Sequence, residues 1–284
     1  MTDGAEHETD PAERCRELIA AIALDFVARG RSPIADRPDV PDARLCALVQ
    51  CLAEAQPIDG HSVRWNPASW TTGLASRYLP EQARLLDIVE RLASRTARKN
   101  GYLIERADVF ALRNDDVIEL FLATMAWGYG RGWGWYRTGK IIELATADTH
   151  TGLEPLIERL TRVVHLAHSD RDSDLFDAWS VATNRARLRR FGPAFASKFA
   201  YFAGYNRVTK AGPLIADGWV AWALWALADV WNVRTDGHKY AEYLNIARRW
   251  ADYCSRRPDE IERALFVLGP HIRKAWLRRD VSTS

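Results

Sequence analysis

Lys198 and Asp217 are the residues whose types and spacing suggest chemistry, an amine and a carboxylate nineteen positions apart. Lys198 interrupts an otherwise apolar run from Phe195 to Ala203. A lysine beside an apolar helix face either extends to solvent or is held for a purpose, and partial desolvation makes its amine a usable nucleophile. A neighbouring carboxylate can accept a proton or stabilise developing positive charge. Taken singly, a surface lysine and a helix-capping aspartate are the plainer explanations.

A Gly-Pro turn, Gly192-Pro193, separates a basic segment from the segment that carries Lys198. Such a turn leaves the first N–H groups of the following helix pointing outward, where they and the helix dipole suit a phosphate. Arginines upstream add non-specific, salt-dependent affinity for DNA. The predicted contacts with the DNA backbone are Arg189, Arg190, Gly192, Ala194 and Ser197. The alternative is an ordinary helical hairpin with an arginine-rich surface.

Residues 127–136 form a glycine- and aromatic-rich segment that predicts a loop between two helices. Its glycines allow close approach to DNA, and aromatic rings stack on bases or fill the gap left by a flipped base. The candidates for a wedge or a base pocket are Trp127, Tyr129, Trp133 and Trp135, with Arg131 as a DNA contact. The alternative is a turn whose tryptophans are simply buried.

Composition favours a protein with a substantial core, since 48% of its 284 residues are hydrophobic and 12 are tryptophan. The absence of a long apolar run and the acidic N-terminus predict no membrane span, no signal peptide and a cytoplasmic location. From residue 185 onward there are 18 Lys and Arg against 9 Asp and Glu, and before it 21 against 28. This asymmetry predicts that the C-terminal part faces a polyanion, although solvated surface arginines give the same counts.

Apolar periodicity of 3.6 residues predicts an all-α protein. Helices with two predicted ends cover 12–28, 42–55, 81–97, 153–168, 173–189, 195–204 and 239–254. Further helices are predicted from 115 to the glycine-rich segment, from about 140 onward, and as a long helix that opens at 213–217. Two short helices, at 259 and around 271, finish the chain. Residues 56–80 are predicted irregular, and a strand or hairpin is expected only at 101–112. The predicted organisation is an acidic flexible tail (1–13), a helical region (14–112) that packs with 213–284, and a lobe (113–212) with a hairpin at about 174–204.

The four cysteines, Cys15, Cys46, Cys51 and Cys254, follow no zinc-binding spacing and are predicted to be buried and reduced. His165, His168, Asp170 and Asp172 imitate a metal cluster but fall at a helix end, which favours a solvated terminus. No cofactor and no metal are predicted.

The hairpin glycine Gly192, Lys198 and Asp217 together resemble the helix-hairpin-helix DNA glycosylases, in particular the 8-oxoguanine DNA glycosylase branch. That family has a glycine-containing hairpin that ends in a catalytic lysine, and an aspartate nineteen residues later that opens a helix. The resemblance covers about 119–231, and residues 192–224 also resemble prokaryotic oxoguanine-glycosylase-like proteins, some of which act in anti-phage defence. It implies a two-lobed helical fold with the active site in a cleft, acting as a monomer on double-stranded DNA that contains a modified base.

The resemblance also implies a mechanism in which Lys198 attacks the sugar C1′ of a flipped-out nucleotide and Asp217 assists. A hypermodified cytosine, such as glucosylated hydroxymethylcytosine, is the first candidate for the excised base. The alternatives are an 8-oxoguanine repair glycosylase with AP lyase activity, a non-catalytic helix-hairpin-helix DNA-binding protein, and a helical protein-interaction domain. The sequence departs from the family pattern by two extra residues between hairpin glycine and lysine, and by Trp219, a base-pocket candidate, where the family has a histidine.

Overall fold

A computed structural model describes residues 10–30, 40–147, 151–169, 175 and 188–282. These residues contain twelve α-helices and one small antiparallel sheet, which confirms the predicted all-α class. None of the helices described is both long enough and apolar enough to cross a membrane. Most of the predicted tail, most of the predicted helix 173–189, Asp170 and Asp172 lie outside the described residues.

The chain forms two compact units, each assembled from separate stretches of sequence. Unit 1 takes its described residues from 1–58, 218–231 and 245–284, and unit 2 takes its own from 59–217 and 232–244. The predicted segment boundaries after residues 13, 112 and 212 stay a prediction.

Unit 1 is a group of helices that pack on the C-terminal helix. Its helices are α1 (Pro11–Ala28), α2 (Ala43–Ala55), α10 (Gly218–Ala228), the later part of α11 (Gly237–Tyr253), and α12 (Pro258–Ser282). α12 packs against α10, α1 and α2. The prediction of two short helices at 259 and 271 is wrong, because α12 continues through Pro270 as one helix. An added Cβ at Gly269 would lie 2.0 Å from the carbonyl oxygen of Trp219, so α12 and α10 are in close backbone contact there.

The cysteines of unit 1 are paired as two disulfides, Cys15–Cys51 and Cys46–Cys254, so the prediction of reduced thiols is wrong. The Cα atoms of the two pairs are 5.8 and 5.3 Å apart, within the range that a disulfide needs. Sequence spacing gave no indication of this, because the partners are 36 and 208 positions apart and meet only through helix packing.

Unit 2 contains the remaining helices and the sheet. The helices are α3 (Pro67–Ala75), α4 (Gln82–Thr96), α5 (Arg106–Phe110), α6 (Val117–Tyr129), α7 (Gly134–Thr146), α8 (Glu154–Ala167) and α9 (Pro193–Gly204). The strands are β1 (Ser62–Trp65), β2 (Ala97–Arg98) and β3 (Gly101–Glu105), in the order β1-β3-β2, with Trp65 opposite Tyr102.

Residues 56–80 were predicted to be irregular, and the structure corrects this with β1 and α3. The Asn66 side chain accepts a hydrogen bond from the N–H of Ser69, and Pro67 occupies the first turn of α3. An asparagine followed by proline is a signal for a helix start, and it was present in the sequence.

The glycine- and aromatic-rich loop is shorter than the predicted 127–136. α6 continues through Tyr129 and α7 begins at Gly134, so only residues 130–133 form the turn. Gly130 has φ +57°, and an added Cβ would lie 2.7 Å from Cγ1 of Val63 and 3.1 Å from the carbonyl oxygen of Arg64. The turn is therefore in close contact with β1, and only a glycine fits there.

Helix α9, which carries Lys198, packs against α6 and α8. Its last residue, Gly204, lies directly on the end of α8, since an added Cβ would be 2.0 Å from the carbonyl oxygen of Ala167. Gly192, which precedes α9, is different, because an added Cβ there meets nothing within 4 Å.

We expect Gly204→Ala to lower the free energy of unfolding by about 1–3 kcal/mol, because the new methyl group overlaps backbone atoms that have little room to move. Gly192→Ala is the matched control, and its effect should stay within about 0.5 kcal/mol because the site is open and its φ of −74° suits alanine. Urea denaturation followed by circular dichroism measures both. Equal stability of the two variants would contradict the close contact between α8 and α9.

Candidate active site

The structure brings the predicted amine and carboxylate together in unit 2. Nζ of Lys198 donates a hydrogen bond to Oδ2 of Asp217 over 3.2 Å, and this contact is also an ion pair. Lys198 lies in the second turn of α9, and Asp217 directly precedes α10. The side chains are only 9% and 10% exposed, so the pair is largely removed from water.

Because it is buried, the Lys198–Asp217 ion pair is stable only in good geometry. Desolvation of each charge costs several kcal/mol, which the partner recovers only in good geometry, and removal of one partner leaves an uncompensated charge. The same distance allows the ammonium group to pass a proton directly to the carboxylate. The arrangement can therefore generate a neutral amine next to an acid.

An aromatic pair lies beside this site. The centroid of the Phe195 ring, one turn before Lys198 on α9, is 5.5 Å from Nζ. Tyr129 at the end of α6 stacks on Phe195 with a centroid distance of 4.0 Å and an interplanar angle of 19°. An added Cβ at Gly128 would lie 2.4 Å from the Phe195 ring, so that glycine makes room for it. Burial raises the pKa of the Tyr129 phenol, which is only partly offset by Arg137.

Sequence reasoning did not single out Phe195 as a neighbour of Lys198. The signal was available, because residues three apart on a helix share a face. It was hidden by the fact that most of the helix is apolar, which makes any one aromatic residue inconspicuous. Tyr129 was predicted as a wedge or pocket residue, and the structure puts its ring against the ring of Phe195.

Ser197 fixes the segment that leads to the aspartate. Its Oγ accepts a hydrogen bond from the N–H of Ala216 over 3.0 Å and donates one to the carbonyl oxygen of Ala194 over 3.2 Å. The residue is 1% exposed. The prediction of Ser197 as a DNA contact is therefore corrected: its hydroxyl faces the protein interior, where it ties α9 to the residue before Asp217.

Two tyrosines of α11 hold the same segment. The Tyr240 hydroxyl accepts from the N–H of Leu214 over 3.1 Å and donates to the carbonyl oxygen of Leu214 over 2.8 Å. The Tyr243 hydroxyl donates to the carbonyl oxygen of Ile215 over 3.0 Å. Buried backbone groups must be paired, and here side chains replace the partners that a helix or sheet would supply. No pattern in the sequence indicated which segment the two tyrosines would contact.

The predicted DNA-backbone contacts at the hairpin are largely at the surface. Arg189, Arg190 and Gly192 are exposed, and Ala194 is half-buried. Arg190 has φ +67°, a left-handed conformation that ends the preceding segment. Together with the open space around Gly192, this leaves the first turn of α9 accessible to a ligand.

The aromatic candidates divide between surface and interior. Trp133 is 72% exposed and stacks on the half-buried Trp135, with 6.0 Å between centroids. Trp127 was predicted in a loop as a wedge or pocket residue, but it is in the core, with its ring 5.2 Å from Phe202 and 5.2 Å from the Arg106 guanidinium. Trp127 is in the interior because α6 continues through Tyr129 instead of ending before residue 127. Trp219 is half-buried at the start of α10 in unit 1.

The histidines that imitate a metal site end α8. Nδ1 of His168 lies 2.8 Å from the carbonyl oxygen of Val164, four residues earlier. Within the part of the chain that the structure describes, no three His, Cys, Asp or Glu side chains are grouped so that they could hold a metal ion.

Comparison with known families identifies the class of protein. The family model described as "Putative 8-oxoguanine DNA glycosylase OGG-like protein" matches residues 56–266. This match covers more than half of the chain, so the protein belongs to the OGG-like DNA glycosylase family, and the resemblance inferred from the sequence is confirmed. Neither curated proteins nor solved structures gave a match. Membership indicates a DNA glycosylase with DNA as its substrate.

We expect Ser197→Ala to lower the free energy of unfolding by about 1–3 kcal/mol, because the buried N–H of Ala216 loses its acceptor. Ser69→Ala is the matched control, since Ser69 is an exposed serine in the first turn of α3, and we expect a change within about 0.5 kcal/mol. Chemical denaturation of the three proteins measures the difference. If both variants are equally stable, the Ser197 hydroxyl does not hold the segment before Asp217.

Proposed function

We propose that this protein flips a modified nucleotide out of double-stranded DNA and excises its base with Lys198 and Asp217. The observation that carries the proposal is the 3.2 Å contact between Nζ and Oδ2 within a largely buried site. Neither residue type is rare, but an amine and a carboxylate buried together in an OGG-like family member support a role in excision at C1′.

In the proposed reaction, Asp217 first accepts a proton from the Lys198 ammonium group. The neutral amine then forms an N–C1′ bond while the glycosidic bond breaks. The electron pair of the glycosidic bond leaves with the base, which takes a proton from water. The Asp217 carboxyl group, ionised again by loss of its proton to solvent, stabilises the positive charge that develops on the sugar. The new C1′-bound nitrogen then loses a proton, and its lone pair forms a C=N bond as the C1′–O4′ bond breaks. O4′ takes up a proton as the sugar ring opens, which leaves a protonated Schiff base.

The nucleotide must leave the base stack to reach this site, because C1′ is inaccessible inside the duplex. Since both reacting side chains are about nine-tenths covered, entry of the sugar also requires movement of neighbouring groups. The Phe195 ring lies next to Nζ and Tyr129 stacks on that ring, and flat aromatic faces suit a base or sugar that displaces part of this cover. The exposed Trp133 is the proposed wedge.

We propose a hypermodified cytosine, such as glucosylated hydroxymethylcytosine, as the excised base and anti-phage defence in the cytoplasm as the setting. The support is the resemblance of residues 192–224 to prokaryotic oxoguanine-glycosylase-like proteins that include defence enzymes. A second candidate is excision of 8-oxoguanine with AP lyase activity, which the printed description of the family favours.

Borohydride trapping tests the role of the pair. With DNA that contains the substrate base, we expect a covalent protein–DNA adduct for the wild type and none for Lys198→Gln. Asp217→Asn should keep the amine but reduce base release by about 10²-fold or more, since it removes a general base and a stabilising charge.

The double variant Lys198→Gln with Asp217→Asn controls for folding, because it removes both buried charges together while the single variants leave one uncompensated. DNA affinity measured in parallel controls for substrate binding. Base release without an adduct would indicate that water attacks C1′ instead. Full activity in both single variants would end the assignment of Lys198 and Asp217 as the catalytic residues. Absence of base release in the wild type, with DNA binding retained, would instead indicate a non-catalytic DNA-binding protein.

Mass spectrometry of released bases identifies the substrate. Incubation with phage DNA that carries hypermodified cytosines should release that base, and DNA with 8-oxoguanine opposite cytosine serves as the second substrate. Lys198→Gln is the control for release by contaminating enzymes. Release of 8-oxoguanine alone would replace the proposed defence substrate with the repair substrate.

A further inference from the structure

A polar cleft of about 460 Å³ lies on the surface of unit 2, and among the predicted site residues Arg131 alone lines it. Its walls come from the end of β1, the β2–β3 turn and the turn after α6. The side chains that define its chemistry are Arg64, Asn66, Asn100, Tyr102 and Arg131. None of the residues that line it carries a carboxylate, so the charged groups of the cleft are all cationic.

Local geometry accounts for the convergence of the two arginines. Gly130 contacts Val63 and the backbone of Arg64 so closely that no side chain fits there. This contact puts the next residue, Arg131, beside β1. Antiparallel pairing of Trp65 with Tyr102 then brings the β2–β3 turn, with Asn100, to the same side.

The two arginines differ in their surroundings from several other arginines of unit 2. Arg84 is paired with Asp116, Arg91 with Glu119, and Arg77 with Glu143. Arg64 and Arg131 are exposed, and within the described residues neither forms an ion pair or a side-chain hydrogen bond. Their guanidinium groups are therefore available to an external anion.

We propose that this cleft binds one backbone phosphate of the DNA, held jointly by Arg64 and Arg131. Guanidinium groups present paired N–H donors that match phosphate oxygens, and the amides of Asn66 and Asn100 offer neutral donors in the same cleft. Trp133 follows Arg131 by two positions and is exposed, so the bound phosphate belongs to the strand beside the proposed wedge. The inference rests on the proposed function and adds a contact outside the hairpin.

The salt dependence of DNA binding tests the proposal. Fluorescence anisotropy of the full chain with an unmodified duplex, between about 50 and 200 mM salt, gives the slope of log K against log[salt]. Loss of one phosphate contact should reduce the magnitude of this slope by about 0.9. We expect that reduction in Arg64→Ala, in Arg131→Ala, and to the same extent in the double variant, because one phosphate is shared.

Two control variants separate the shared phosphate site from a general effect of losing an arginine. Arg162→Ala removes another exposed arginine of unit 2, on α8, and should leave the slope unchanged. Arg64→Lys keeps the charge and should keep the slope while it weakens affinity, because lysine lacks the paired donors. Unchanged slopes in both alanine variants would overturn the shared phosphate site, and so would additive losses in the double variant.

A separate experiment measures binding of inorganic phosphate alone and its competition with DNA. Weak, millimolar competition by phosphate is expected, whereas tight binding of free phosphate that Arg64→Ala abolishes would identify a small-anion site and overturn a DNA contact. Failure of the proposed function gives a different pattern: the wild type would show no salt-dependent affinity for DNA at all, or would bind DNA through the cleft without releasing a base or forming a borohydride adduct.

Discussion

The buried contact between the Lys198 ammonium and the Asp217 carboxylate is the constraint on which the site depends. Burial of two charges is costly unless each compensates the other in good geometry. The 3.2 Å separation therefore has to be enforced by the surrounding structure, and not by the flexible lysine side chain alone. This requirement explains why so many of the nearby side chains serve to hold backbone instead of contacting ligand.

Two sets of contacts fix this separation, one around Lys198 and one around Asp217. On the lysine side, α9 is fixed through close contacts at glycines, with Gly204 against α8 and Gly128 against Phe195. On the aspartate side, residues 214–216 have no regular secondary structure, and hydroxyl groups of Ser197 and two tyrosines satisfy their backbone. Ser197 belongs to both sides, because it is next to Lys198 and bonds the residue next to Asp217. A pre-formed site of this kind has little reorganisation left to do when charge develops during reaction.

The sequence allowed prediction of what depends on local pattern and spacing. Lys198, Asp217 and the positions of most helices follow from periodicity, capping residues and a family resemblance. Contacts between distant segments did not follow: nothing in the sequence connects Tyr240 with Leu214, or Cys46 with Cys254. The prediction for Trp127 failed because glycines at 128 and 130 suggested an early end to α6, whereas packing of Gly128 on Phe195 extends the helix through Tyr129. Pro270 similarly suggested a break that α12 does not make.

The net charge of a segment does not by itself say which of its cations can meet an external anion. The first 184 residues carry more acids than bases, and this asymmetry predicted that the C-terminal part faces a polyanion; among the predicted contacts with the DNA backbone, Arg131 alone lies in the acidic part. Yet many acids of unit 2 are occupied by arginines on neighbouring helices, as in Arg91 with Glu119, and these pairs cancel each other locally. What an external phosphate encounters is the set of cations without such partners, and Arg64 and Arg131 belong to that set although they lie in the acidic part of the sequence. Binding capacity thus depends on which charges folding leaves uncompensated, a quantity that only the pairing of side chains in three dimensions defines.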